Sequence, residues 1–258
     1  MFRSKKSSLQ VLWQSAPTTH MRFHPAQLTQ LPDPTQRYLK HAIAPDTPLA
    51  STVRLKMHGE IKLKGWQSFR AEQVICSQKG MIWQATVWMN GLPIFGWDRL
   101  IESKGAMQWK LLGLLPVVKV EGPDITRSAV GRMQGEYVWL PSALLDNSVR
   151  WQALDNNHAC AELTLLEETT RLNLTLNKSG GVQAAYFKRW GDPGESTPHY
   201  EDFGVLIEEE RTFSGYTVPT KILAGWYFER DSHTEKLGQR FIEEGAFFRA
   251  TIDQAIYR

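Results

Sequence analysis

The chain has 258 residues, 42% of them hydrophobic and 22% charged. These proportions exclude wholesale disorder and supply enough material for one large β-rich domain. Thirty basic and 27 acidic residues, well mixed, leave a net charge of +3, so no electrostatic argument points to nucleic acid as a partner. Ten tryptophans are the one unusual count; the indole is used both in cores and in binding cavities, and its single N–H wants an acceptor.

Residues 1–24 start basic (Arg3, Lys5, Lys6) and lack an apolar run long enough for a secretory signal. They are expected to form a flexible segment ahead of a single β-rich domain over 25–258, in a soluble, cytoplasmic protein. His20 and His24 have the i, i+4 spacing of two metal ligands on a helix, but Pro25 disfavours helix there. A helix follows at Asp33–Ile43, where Asp33 can cap and Pro34 fits the first turn.

Val53–Lys64 is the clearest strand: Val53, Leu55, Met57, Ile61 and Leu63 alternate with polar residues, and Gly59 suggests a bulge. Strand-like runs follow at Ser68–Ser77, Met81–Met89, Phe95–Glu102 and Ala106–Leu112, with turns at Gly80, Asn90-Gly91 and Gly105. The most apolar stretch, Leu111–Val120, is interrupted by Gly113, Pro116 and Lys119 and is too short to span a bilayer. A mid-chain helix over Ile125–Glu136 would stack Arg132, Glu136 and Trp139 on one face. Strands then resume at Val149–Leu154, Ala159–Leu166, Thr170–Leu176, Val182–Arg189, Val205–Phe213, Tyr216–Arg230 and Gly245–Tyr257.

Many strands joined by local turns, with one helix before them and one in the middle, predict a mainly β (α+β) protein. The expected architecture is a large curved antiparallel sheet, or half-barrel, whose concave face is covered by the two helices. Curvature under helices tends to leave a cavity.

Catalytic signatures are sparse. Glycine-rich phosphate loops and the GxSxG elbow are both absent. Cys76 and Cys160 lie far apart in apolar segments and read as small buried hydrophobes. Glu209 in Glu208-Glu209-Glu210 would be an acid candidate if it faced inward, against the simpler reading of solvated glutamates on a strand. Arg132 and Glu136 could form a surface pair, a buried structural pair or a ligand contact, and the strand tryptophans divide between core packing and cavity lining.

Four stretches carry a resemblance to an uncharacterised, mainly bacterial family of about this length, known only as a domain of unknown function. They are Leu31-Pro32 with Arg37-Tyr38-Leu39, leading to Val53-Arg54-Leu55 and Gly59; Gly80–Ala85 with Asp98, Gly105-Ala106-Met107 and Lys110–Gly113; Arg132–Glu136 through Trp139-Leu140-Pro141-Ser142-Ala143-Leu144-Leu145; and Gly215–Thr220 with Trp226. Met133 departs from the aromatic expected at its position. The layout also looks like the half-barrel of bacterial lipoprotein carriers, which implies an apolar cavity beneath helices.

The expected function is therefore binding of a lipid or other apolar small molecule, without cofactor or metal. Trp83, Trp97, Trp139 and Trp226 would line the site with Asp98 and Glu136, while Arg132 and Lys110 would meet an anionic headgroup. Two alternatives stand beside it: an enzyme acting on a small hydrophobic substrate through Asp98, Glu136 or Glu209, and a structural or interaction module with an exposed apolar patch.

Overall fold

The computed structural model describes residues 8–17, 20–77, 79–194, 197–229 and 238–258. Its strands form two meanders. The first comprises β1 (Thr52–Lys62), β2 (Trp66–Cys76), β3 (Gly80–Met89), β4 (Leu92–Ile101), β5 (Lys104–Leu111) and β6 (Leu115–Glu121). The second comprises β7 (Arg150–Ala153), β8 (His158–Leu165), β9 (Glu168–Leu176), β10 (Val182–Gly191), β11 (His199–Phe213), β12 (Tyr216–Trp226) and β13 (Ala246–Tyr257). Pairing of β1 with β13 welds them into one antiparallel 13-stranded sheet, ordered 6-5-4-3-2-1-13-12-11-10-9-8-7. The sheet is open and curved, consistent with a half-barrel.

This order dictates the role of the middle of the chain. The first meander ends at one edge of the sheet and the second begins at the opposite edge, so residues 122–149 must cross from edge to edge. The crossing is made by α3 (Pro123–Gly135) and two 3₁₀ turns, Glu136–Trp139 and Pro141–Leu145. A helix of 13 residues covers about 20 Å. It packs against β4, β5 and β6 of the first meander and β9 and β10 of the second. Val130 and Met133 on its inner face are fully buried. A second helix, α2 (Asp33–Ala42), buries Tyr38 and Leu39 in the same main core. Here Pro32 takes the cap position and Asp33 sits one residue further in, within the first turn, where its charge favours the positive helix end.

The outer face is covered as well, which the alternation along the strands does not reveal. Helix α1 (Ser8–Gln14) lays Leu9 and Leu12 against Val74, Cys76 and Ile82. The expectation of a free arm over residues 1–24 is thus amended at 8–14, where two leucines one helical turn apart find an apolar patch on β2 and β3; residues 1–7 and 18–19 lie outside the described residues. At the other end of the outer face Phe228 and Phe241 cover Ala184 and Ala246.

Turn chemistry follows the residues. Asn90 and Gly91, with φ of 51° and 80°, close the β3–β4 hairpin as a primed turn requires. The β1–β13 pairing is interrupted at Lys56/Met57, where β13 carries the extra residue Asp253, and not at Gly59. Gly59 is needed for another reason: a Cβ there would lie 2.0 Å from the Arg249 carbonyl oxygen of β13. Strand β6 was not evident because an edge strand with no dry face need not alternate: Leu115 and Val117, together with Leu114 in the preceding turn, are all exposed. Among the described residues no helix is long and apolar enough to cross a membrane.

Candidate functional site

Beneath α3 the concave face forms a partly open cavity of about 310 Å³. Its roof is Arg132, Gly135, Glu136, Val138 and Trp139, and its floor comes from β1, β3–β5 and β10–β13. The walls are mainly apolar, built from Ile61, Trp83, Met107, Phe187, Phe203, Val205, Ile222, Phe247 and Phe248. Phe247 and Phe248 both reach it because the β12–β13 register skips Phe247, and a bulge breaks the alternation that would otherwise send neighbours to opposite faces.

The roof is anchored by one cation. Arg132 donates from Nη1 to Asp98 Oδ2 (3.0 Å) and from Nε to Glu136 Oε1 (2.8 Å), with its guanidinium 5.2 Å from the centre of the Trp83 ring. The remaining oxygens of both acids are also taken. Trp109 Nε1 donates to Asp98 Oδ1 (3.2 Å) and Gln73 Nε2 to Glu136 Oε2 (2.5 Å). Burial pushes the Asp98 carboxyl above its usual range, against the opposing pull of Arg132 and the Trp109 hydrogen bond. Burial also works against the Arg132 charge, but Glu136 and Asp98 outweigh it and raise its pKa. Both carboxylates therefore serve first to hold this guanidinium, and through it α3, to the sheet.

Facing this triad from β10 is a second cation, Arg189, which also lines the cavity. Its guanidinium lies 4.7 Å from the Phe203 ring centre and 5.3 Å from that of Trp226. Its hydrogen bond to protein is a long one, Nη2 to Ser128 Oγ at 3.5 Å, and its Nε is buried without an acceptor. Among the described residues no carboxylate lies within ion-pair distance of it. Burial, and then the nearby Arg132 charge, push its pKa down to about 10.

Of the residues expected to form a site, Trp83, Asp98, Arg132, Glu136 and Trp139 line this cavity. The stripe of Arg132, Glu136 and Trp139 survives although α3 ends at Gly135, because a 3₁₀ turn continues the rotation. Trp139 is pinned at both ends, donating Nε1 to Pro219 O (2.9 Å) and accepting at its carbonyl from Tyr257 Oη (3.1 Å).

Three expectations are corrected. Trp97 precedes Asp98 on β4, so strand alternation turns it to the outer face, where Arg99 stacks on it at 4.6 Å. Lys110 is turned outward likewise: Trp109 faces the cavity side, and Lys110 pairs with exposed Phe95. Trp226 stands behind Arg189 and Phe203 and does not line the cavity. Glu209 also fails as an inward acid. Irregularities between Ile207 and Glu210 leave it exposed beside Lys221 (3.9 Å) and turn Glu210 inward, where it accepts from His41 (2.9 Å) and the Val182 amide (3.1 Å).

Arg189 and Gln73 were missed; Trp109 was among the strand tryptophans divided between core packing and cavity lining. Arg189 is in phase with Phe187 and Ala185 on β10, but Ala184 and Tyr186 on the alternate phase are apolar too. With both faces of that strand covered, the sequence offers no way to tell which phase looks inward. Gln73 carries a readable signal, a polar residue in phase with Phe69, Ala71 and Ile75 on a dry face. His24 meets Asp46 at 3.6 Å, and Cys76 and Cys160 are free and buried.

Two solved structures are similar to the chain at the level of the fold. One is a domain described as outer membrane lipoprotein-sorting from Vibrio parahaemolyticus, at 7% identity and TM-score 0.39, covering 81% of this chain and 86% of that one. The other is a LolA superfamily protein from Nitrosomonas europaea, at 10% identity and TM-score 0.42, covering 87% and 92%. No curated protein matches the sequence. Residues 21–235, which carry the Arg132–Trp139 roof and every cavity wall but Phe247 and Phe248, match the family model described as "Family of unknown function (DUF6544)", and the chain belongs to that family.

Proposed function

We propose that this protein binds an apolar, lipid-like small molecule between the concave sheet face and α3, and that it does so without chemistry. The observation that carries this reading is the cavity of about 310 Å³, walled by aromatic and aliphatic side chains and roofed by a helix that an ion triad ties to the sheet. Cavities of this size with few polar groups are the usual form of small-molecule sites. Purified protein should carry a small-molecule adduct in native mass spectrometry that is released on denaturation. Ala224→Leu, which adds bulk to a buried cavity wall, should remove the adduct while leaving the fold intact. Absence of any adduct, together with no response of tryptophan fluorescence to added alkyl probes, would overturn the reading.

A second reading, an enzyme with carboxylate acid–base chemistry, draws on Asp98, a cavity-facing acid whose pKa is raised by burial. Against it stands the occupation of all four carboxylate oxygens by Arg132, Trp109 and Gln73. It would require that Asp98→Asn abolish turnover of a bound substrate without loss of binding.

A further inference from the structure

We propose that the cavity selects a single-chain amphiphile with an anionic carboxylate or phosphate head, and that Arg189 is the residue that reads the head. This deepens the proposal of an apolar-ligand site and rests on it.

Four charged side chains line the cavity, and they are not equivalent. Asp98, Glu136 and Arg132 satisfy one another at 2.8–3.0 Å, with the spare oxygens filled by Gln73 and Trp109. Arg189 is left over. It faces the same space from β10, stacks on Phe203 and Trp226, and among the described residues has one hydrogen bond, the 3.5 Å contact to Ser128. Guanidinium presents a planar fork of five N–H donors that matches the oxygens of a carboxylate or phosphate. A buried cation without a counter-ion is costly, and an anionic head arriving in the cavity would remove that cost. Phe203 and Trp226, packed edge to face on each other, both lie against the guanidinium, which restricts it before a ligand arrives. The second unpartnered donor among the cavity residues, the buried Trp83 Nε1, also asks for an acceptor.

The volume sets the length of the tail. At roughly 15–30 Å³ per atom-sized unit, the cavity holds about ten to twenty non-hydrogen atoms. That fits one medium-length chain and excludes a two- or three-chain lipid held entirely inside.

The test is binding of a matched series by calorimetry and tryptophan fluorescence: decanoate, decyl phosphate, 1-decanol and decylamine, against wild type, Arg189→Met and Arg189→Lys. For wild type, decanoate or decyl phosphate should bind about ten- to a hundredfold more tightly than decanol, the range expected of a charge-assisted hydrogen bond, and decylamine should be the weakest. The two anionic arms show which head is preferred. Arg189→Met should abolish the preference, leaving decanoate and decyl phosphate no tighter than decanol on the same variant, and Arg189→Lys should restore part of it. If wild type binds decanol as tightly as both anions, head recognition is overturned while the apolar site stands. If the preference survives in Arg189→Met with unchanged size, the head is read elsewhere and the role given to Arg189 is overturned. If no member binds, the apolar-site reading fails and this inference with it.

Discussion

The two walls of the cavity each carry an arginine, and they use it in opposite ways. On the α3–β4 wall Arg132 has two carboxylates, and each carboxylate has a further neutral donor. On the β10–β11 wall Arg189 has aromatic rings and a distant hydroxyl. The first arrangement is closed: every strong group is answered, and nothing is gained by bringing in a ligand. The second is open, and its lowered pKa reflects a charge kept in an unfavourable place. The contrast teaches that presence of charge in a cavity is a poor guide to recognition; what matters is whether the charge already has a partner.

The sharpest way to break this comparison is to neutralise each cation in turn. Arg132→Met should cost about 3–5 kcal/mol in a urea titration, because it strands two buried acids. Arg189→Met strands no acid and should leave stability within about 0.5 kcal/mol of wild type or improve it. Equal losses would mean that Arg189 too is structural.

A smaller effect belongs to Gln73. Gln73→Met removes one donor from Glu136, and a loss of about 1–2 kcal/mol is expected. The figure stays small because the Gln73 Oε1 is itself unpartnered and its removal is favourable. A loss as large as that of Arg132→Met would shift the centre of the anchor from the ion pair to the amide.

The smallest effect is a pH slope. Burial raises the Asp98 pKa in the folded chain, so the folded state binds more protons than the unfolded one between the ordinary value near 3.9 and the raised value. Stability from this group is therefore fully present below the unfolded pKa and is lost as pH rises through the folded one. Measured against Asp98→Asn, wild type should show that downward slope just above the usual carboxylate range. A slope of opposite sign would mean that Arg132 and Trp109 dominate over burial.

Much of the architecture was readable along the chain. Alternation in Val53–Lys64, the Asn90-Gly91 turn and the regular spacing of short runs specify an antiparallel meander, because strand period and turn chemistry are local properties. The roof was readable too. Arg132, Glu136 and Trp139 lie within eight residues of each other, where helical rotation alone brings them to one side. Asp98 and Trp83 also proved to face the cavity, but their neighbour Trp97 was assigned to the same face, which a strand forbids.

Other features were hidden for definite reasons. Bulges at Ile207–Glu210 and at Phe247 change which residue looks inward, and a one-residue slip inverts a whole strand. Outer-face covers from Leu9, Leu12, Phe228 and Phe241 make both phases of several strands apolar, which erases the contrast that alternation relies on.

The chain's local patterns were sufficient for a curved antiparallel sheet crossed by one mid-chain helix, because each strand, turn and helix start is encoded within a few residues. They could not show that β1 closes on β13, that the crossing therefore runs edge to edge, or that Arg189, 57 positions after Arg132, faces it across a cavity without a partner. Those relations join segments remote in sequence, and only the packing of the two meanders brings them together.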